Sequence, residues 1–228
     1  MLLNSGEADV MLVASGESSH CPIIMSTLAQ AKALSKNPDP KTACRPFDAD
    51  RDGFVMGEGG GAIVLETEEH AKKRGAKIIC SLAGYGNNTD AYHVTSPRPD
   101  GSGAVACMTS ALKKAGLSPE DIDYINAHGT STPVGDPVEV LAIKTLFGWS
   151  DPESEMPAEL KVKIPPVSSI ETGILPPTLN YTTPDPKCDL DFVTEGPRKA
   201  KIDVAMSNAL GFGGQNSSII VRRYTENK

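Results

Sequence analysis

Short apolar runs of β type alternate along this chain with stretches in which apolar residues recur every three or four positions. The first run, Asp9–Gly16, predicts a buried strand ending at a glycine. Ser26–Leu34 then predicts a helix with Ser26 as N-cap and Leu28, Ala31 and Leu34 on one face. Phe54–Gly57 and Gly61–Leu65 read as strands around a glycine cluster, Thr67–Arg74 as a helix stopped by Gly75, and Lys77–Gly84 as a strand. The clearest amphipathic helix is Ser102–Ala115, with Val105, Met108, Ala111, Leu112 and Ala115 on one face and Gly116 following. Ile122–Ala127 predicts a strand, and Pro137–Phe147 a helix with Asp136 as N-cap and Pro137 at its first position. Such alternation argues for a layered α/β fold.

After Phe147 the pattern breaks. Ser150–Lys163 is polar and proline-bearing and reads as a loop; Val167–Ser169 reads as a short strand end. A strand or loop segment, Ile174–Asn180, follows with no helix expected between them. Two strands, Ile202–Ser207 and Ser217–Arg222, flank the glycines around Phe212.

Composition narrows the function classes. Of 228 residues, 39% are hydrophobic and 22% charged, within the range of globular domains. The net charge of −7 argues against a broad nucleic-acid surface. No stretch is apolar for the ~18 residues a membrane span needs, and the run at Met1–Leu3 is too short for a secretory leader. The five cysteines are scattered without a CxxC pair and read as reduced thiols. The four histidines have no metal-ligand spacing, so no metal is expected.

Three segments could carry chemistry. Asn126–Asp136 contains His128, Thr130 and Thr132 where a strand ends and a helix begins, and ligand sites in α/β sheets lie beyond strand C-termini. His128 is either such a group or a histidine bonded to a loop carbonyl. Ser207–Asn216 sets Gly211, Gly213 and Gly214 around Phe212. It is either a loop whose N–H groups meet an oxyanion or a hairpin turn with a core phenylalanine. The glycines of Arg51–Gly61 lack the lysine of a phosphate-binding loop, so close strand packing is preferred there. Asp90–Pro97, with His93, reads only as a loop, and the neighbouring His20 and Cys21 point apart in regular structure.

Taken in order, these segments resemble the β-ketoacyl-[acyl carrier protein] synthases of the fatty-acid-elongating, synthase II type. The resemblance is carried by Lys32–Ser35, Arg45–Asp48, Arg51–Gly59, Glu69–Lys77, Gly84–Gly86, Asp90–His93, Tyr124–Asp136, Pro176–Asn180, Pro184–Pro186, Cys188–Asp191 and Gly211–Gly214. It implies a thiolase-like αβαβα fold, incomplete here, with residues 1–75 as the later part of an N-terminal half and residues 76–228 as most of a C-terminal half. It implies a decarboxylating condensation of acyl and malonyl groups, with acyl carrier protein as partner and substrates carried on its phosphopantetheine, no other cofactor, and a homodimer. A cytoplasmic or organellar setting would follow, without a membrane or nucleic-acid partner.

The resemblance also assigns roles. His128 matches a catalytic histidine that donates to the malonyl thioester oxygen. Thr130 and Thr132 match hydroxyls that bond the pantetheine arm. Phe212 matches a gate whose N–H serves an oxyanion hole, Gly213 and Gly214 complete that turn, and His93 lies in a second gating loop. Two departures stand out. None of the five cysteines matches the family's nucleophile, which is expected upstream of Met1. The lysine, the second histidine and a buried glutamate are expected in a segment absent after Ser169, and Gln215 stands where a threonine is usual. The implied alternatives are a fragment of an elongating 3-oxoacyl-[acyl carrier protein] synthase, inactive as it stands, a truncated non-catalytic paralogue that pairs with an intact synthase, and, third, a general binder of acyl carrier protein.

Overall fold

The computed structural model describes residues 2–149 and 167–226, with side chains left undescribed at 167–169. The chain forms two compact units: Met1–Leu34 with Val55–Ile79, and Ser35–Phe54 with Cys80–Lys228. Ser35–Phe54 packs within the second unit, where Phe47 stacks on Phe192 with ring centroids 4.5 Å apart.

In the first unit, β1 (Val10–Glu17) pairs antiparallel with β2 (Gly59–Glu66). The expected buried strand is therefore an exposed one, with Leu12 at 71% accessibility. A two-stranded ribbon satisfies one edge of each strand but supplies no packing layer of its own. α1 (Pro22–Gln30) begins four residues earlier than expected, with Pro22 in its first turn. Proline suits that position because its missing N–H would have no partner there. The Ser26 hydroxyl is consequently not a cap; it donates to the Pro22 carbonyl. α2 (Glu68–Lys73) is capped by Thr67, whose side chain accepts from the His70 N–H. Phe54–Gly57 forms no strand.

The second unit is built on a four-stranded sheet in the order β3–β8–β7–β4. Its strands are β3 (Cys80–Thr89), β4 (Tyr124–Asn126), β7 (Val204–Gly211) and β8 (Gln215–Arg223). β7 and β8 form the expected hairpin, while β4 runs parallel to β7 with Asn126 beside Ser207. α3 (Ser102–Ala115) matches its sequence signal and ends at a left-handed Gly116. It buries Ala104, Cys107, Met108, Ala111 and Leu112. Its backbone lies so close to β3 that a Cβ on Gly84 or Gly86 would collide with the carbonyls of Ala111 or Cys107.

α4 (Gly135–Leu146) packs beside α3. Asp136 is not its N-cap. Its carboxylate turns inward to accept from the N–H groups of Phe47 and Thr132, at 2.8 and 3.3 Å. The predicted loop at 150–163 lies outside the described residues. Val167–Thr172 is a short helix, α5, rather than a strand end. β5 (Ile174–Leu175) and β6 (Arg198–Lys199) form a small separate pair. Two apolar clusters hold the unit: one joins α3, α4 and Phe47, and the other surrounds Tyr124, Ile170 and Leu175.

Among the described residues no helix is long and apolar enough to cross a membrane. No group of three or more histidine, cysteine or acidic side chains among them is arranged to hold a metal. All five cysteines are free thiols.

Candidate active site

Parallel neighbours β4 and β7 release their chains at the same end of the sheet. His128 follows β4 and Phe212 follows β7, so both candidate residues follow the C-terminal ends of parallel neighbours, where α/β sheets place ligands, with β7 running on from Ser207, the partner of Asn126, to Gly211. Phe212 is half exposed, which excludes a core role for its ring. It lies 6.3 Å, centroid to centroid, from Phe54. The neighbouring Gly53 N–H donates to the Ser131 carbonyl at 3.0 Å, joining that same segment to the His128 loop.

Beneath His128 lies a residue that the sequence reading did not single out, Glu139 on α4, with 1% accessibility. Its two oxygens accept from the N–H groups of His128 and Gly129 at 2.7 and 2.9 Å. The carboxylate thus fixes the backbone at the point where β4 ends. Burial raises its pKa to about 7, against the lowering pull of the two N–H donors. Asn208 on β7 lies 3.5 Å from Glu139 and accepts from the Ser218 hydroxyl at 2.8 Å, linking β4, β7 and β8. A sequence signal existed, since Glu139 interrupts the apolar face that Val140 and Ile143 continue.

The loop beyond His128 is tightly built. Gly129 has φ +46 and faces the Phe47 ring, leaving no room for a side chain. Ser131, fully buried, also lies at positive φ (67). Its turn brings the hydroxyls of Thr130 and Thr132 within 3.1 Å of each other, and Thr132 Oγ1 accepts from the Gly135 N–H at 3.0 Å. Two half-buried hydroxyls so placed can exchange hydrogen bonds with an amide-bearing arm. His128 itself is exposed, yet enough protein surrounds the ring for desolvation to lower its pKa below 6.5. At neutral pH the imidazole is therefore mostly uncharged and keeps one N–H to donate.

The Phe212 turn is tied to the His93 loop. Gly213 N–H donates to the Val94 carbonyl at 2.6 Å, and Asp90 N–H donates to the Gly214 carbonyl at 2.8 Å. His93 Nδ1 accepts from the N–H groups of Thr95 and Ser96, at 3.1 and 3.2 Å, which leaves the proton of the neutral ring on Nε2. His93 is exposed, and its ring nitrogen organises its own loop. Beside this end of the sheet, a cavity of about 410 Å³ is lined by Asn87, Thr89, Ala209, Gly211, Gln215 and Ser217, among others. Among the cysteines, burial raises the thiol pKa of Cys44, Cys80, Cys107 and Cys188, the last to about 12. Such thiols are poor nucleophiles at neutral pH.

Comparison with known proteins gives a consistent result. The family described as "Beta-ketoacyl synthase, N-terminal domain" matches residues 1–71, and "Beta-ketoacyl synthase, C-terminal domain" matches residues 79–160. A 3-oxoacyl-[acyl-carrier-protein] synthase 2 of Rhizobium meliloti is 47% identical over 98% of this chain and 56% of its own length. The Staphylococcus aureus (strain COL) protein of the same name is 41% identical over 98% of the chain and 57% of its own length. The chain thus spans a little over half the length of these relatives. Among solved structures, a type II PKS ketosynthase in complex with its acyl-carrier protein, bound to the hexaketide, matches with TM-score 0.90 and 36% identity. That match covers 98% of this chain and 58% of the other. A β-ketoacyl synthase from Burkholderia phymatum matches with TM-score 0.86 and 33% identity, over 98% and 57%.

Proposed function

Since this chain belongs to the β-ketoacyl synthase family, we propose that it is part of a 3-oxoacyl-[acyl carrier protein] synthase of fatty-acid elongation. The reaction is a decarboxylating condensation between an acyl thioester and malonyl-[acyl carrier protein]. The malonyl C–C bond breaks, carbon dioxide leaves, and the electron pair becomes an enolate whose charge rests on the thioester oxygen. The enolate carbon then attacks the acyl thioester, and the thiolate that held the acyl group is expelled.

The observation that carries this reading is the Glu139 carboxylate, which pins the His128 and Gly129 amides just past β4, the parallel neighbour of the strand that leads to Phe212. It supports His128 as a preorganised donor to the enolate oxygen, since loss of carbon dioxide requires no proton to be taken from carbon. The lowered His128 pKa favours the same role, because a neutral imidazole donates one N–H. Thr130 and Thr132 would bond the pantetheine amides. The Phe212 turn, with Gly213 and Gly214, would serve the acyl thioester, and the His93 loop bonded to it would move with it. Acyl carrier protein is the partner in this reading, and the cytoplasm its setting.

A second reading is a non-catalytic chain that pairs with an intact synthase. The observation favouring it is that burial raises four of the five thiols, so none of those four is activated for acyl transfer.

Two experiments test the proposal. The chain alone, incubated with acyl-[acyl carrier protein], should show no acyl adduct by intact mass; a stoichiometric thioester on any cysteine would mean the nucleophile has been misassigned. Completed with the portions of an intact relative that it does not match, the chain should take up the acyl group with or without His128. Malonyl decarboxylation should fall by ~10²–10³ in His128→Ala, the usual cost of removing one such donor. Loss of acylation with decarboxylation intact would give His128 the wrong half-reaction.

A further inference from the structure

The loop carrying Thr130 and Thr132 is held from behind by a segment distant in sequence. Arg51 donates from Nε to the Thr132 carbonyl at 3.0 Å. Its Nη1 donates to Asp185 Oδ2 at 2.6 Å and to the Asp48 carbonyl at 2.8 Å. The guanidinium is almost wholly enclosed, with 5% of the side chain accessible. One peptide group earlier, Asp136 Oδ1 accepts from the Thr132 N–H at 3.3 Å. Ser131 is held as well: its hydroxyl accepts from the Arg45 N–H, and its carbonyl from the Gly53 N–H, both at 3.0 Å.

This grip has a purpose that the turn itself states. Ser131 lies at φ 67, a conformation that an L residue with a side chain holds only when its surroundings over-determine it. Released, the turn would relax toward negative φ, and the two threonine hydroxyls would separate. Asp48 and Asp185 are suited to anchoring the arginine. Burial opposes ionisation of both, yet the N–H groups of Thr183, Thr182 and Asp50 hold Asp48 below its ordinary value. The Lys187 N–H and Arg51 do the same for Asp185.

We propose that Arg51 is a positioning residue for the Thr130–Thr132 hydroxyl pair: fixed by Asp185 and the Asp48 carbonyl, it holds the Thr132 carbonyl and so maintains the left-handed turn at Ser131. The inference rests on the reading that this pair binds the pantetheine arm. Lysine cannot replace arginine here, because an ammonium lacks the planar fork that reaches three oxygens at once.

The test uses the chain as it is, with free pantetheine as the probe. In Arg51→Lys, hydrogen exchange at the Thr132 and Gly53 amides should quicken by roughly tenfold, the scale of one lost hydrogen bond. Leu112 on α3 should change less than about twofold, as expected for a site that opens locally. The pantetheine Kd should rise by roughly tenfold for the same reason. In a Thr132→Val background, Arg51→Lys should weaken pantetheine by less than about twofold, because residues acting through one another are not additive. Full additivity, or exchange at Thr132 and Gly53 that changes no more than at Leu112, overturns the proposal. If Arg51→Lys does not fold, Asp185→Asn keeps the arginine, removes its anchor, and is held to the same contrasts. Failure of the parent chain to bind pantetheine would count against the reading of the threonines, while the exchange contrast still decides the role of Arg51.

Discussion

A carboxyl group sealed inside protein with a pKa near neutrality makes the fold sensitive to pH in the range where it works. Between 4.5 and about 7 the folded chain keeps a proton on Glu139 that the unfolded chain has released. Stability from this group therefore falls as pH rises through that window. The shift corresponds to at most about 3–4 kcal/mol. His128 works in the opposite sense, since a pKa lowered from 6.5 means its contribution is lost as pH falls below 6.5 and is constant above it. Its exposure keeps that contribution small. Asp136, raised by burial, acts in the same sense, so the Glu139 part is read by difference. Urea midpoints of the parent should decline from pH 6.5 to about 7.5 more steeply than those of Glu139→Gln. Parallel slopes in the two proteins would show that Glu139 is not the linked group. At this scale the sequence made the candidate positions legible: His128, Thr130, Thr132 and Phe212 all stand in loops that follow strands. It hid the inward carboxylates. Asp136 sits before a helix in the manner of a cap, and only the structure turns it toward Phe47 and Thr132.

The joint between α3 and β3 is close, because glycines let helix backbone and strand backbone meet without side chains between them. Gly86→Ala would force the Cys107 carbonyl and its helix away from the sheet. Overpacking of this kind costs about 1–3 kcal/mol, and denaturant unfolding should show it. Gly57→Ala, where an added methyl meets open space, should stay within about 0.5 kcal/mol of the parent. Elements with a strong period or a sharp stop were legible in the sequence: α3 with Gly116 behind it, and the β7–β8 hairpin around its glycines. Those that failed lacked a discriminating signal. α1 starts at a proline, where a rule favouring hydroxyl caps looks further on, to Ser26. Val167–Thr172 is six residues long, and a piece that short carries no period by which helix and strand differ.

At the scale of the whole molecule, apolar burial is unevenly shared. Among the described residues, Ala71 is the buried apolar side chain of the first unit, whereas both apolar clusters belong to the second. Amides of β1 and β2 should accordingly exchange with solvent roughly a hundredfold faster than those of α3, as segments with few buried contacts do. Equal protection would show that the first unit is as stable as the second. The thiolase-like α/β fold expected from the sequence agrees with the likeness to solved ketosynthases. The run of apolar residues in β1 was read correctly as a strand and incorrectly as buried, because periodicity reports what a segment could bury and not what covers it.

Ser35–Phe54 emerges early and belongs late. The carboxylate of Asp48 accepts from the N–H groups of Thr182 and Thr183, 134 and 135 positions further along the chain. Phe47 depends in the same way on Asp136 and Phe192. On a ribosome moving at about 5–20 residues per second, Thr182 and Thr183 arrive roughly 7–27 s after Asp48 has been made. Through that interval an apolar ring and an arginine destined for burial stay in water. The threonine turn is completed only once Asp185 has been made and can anchor Arg51.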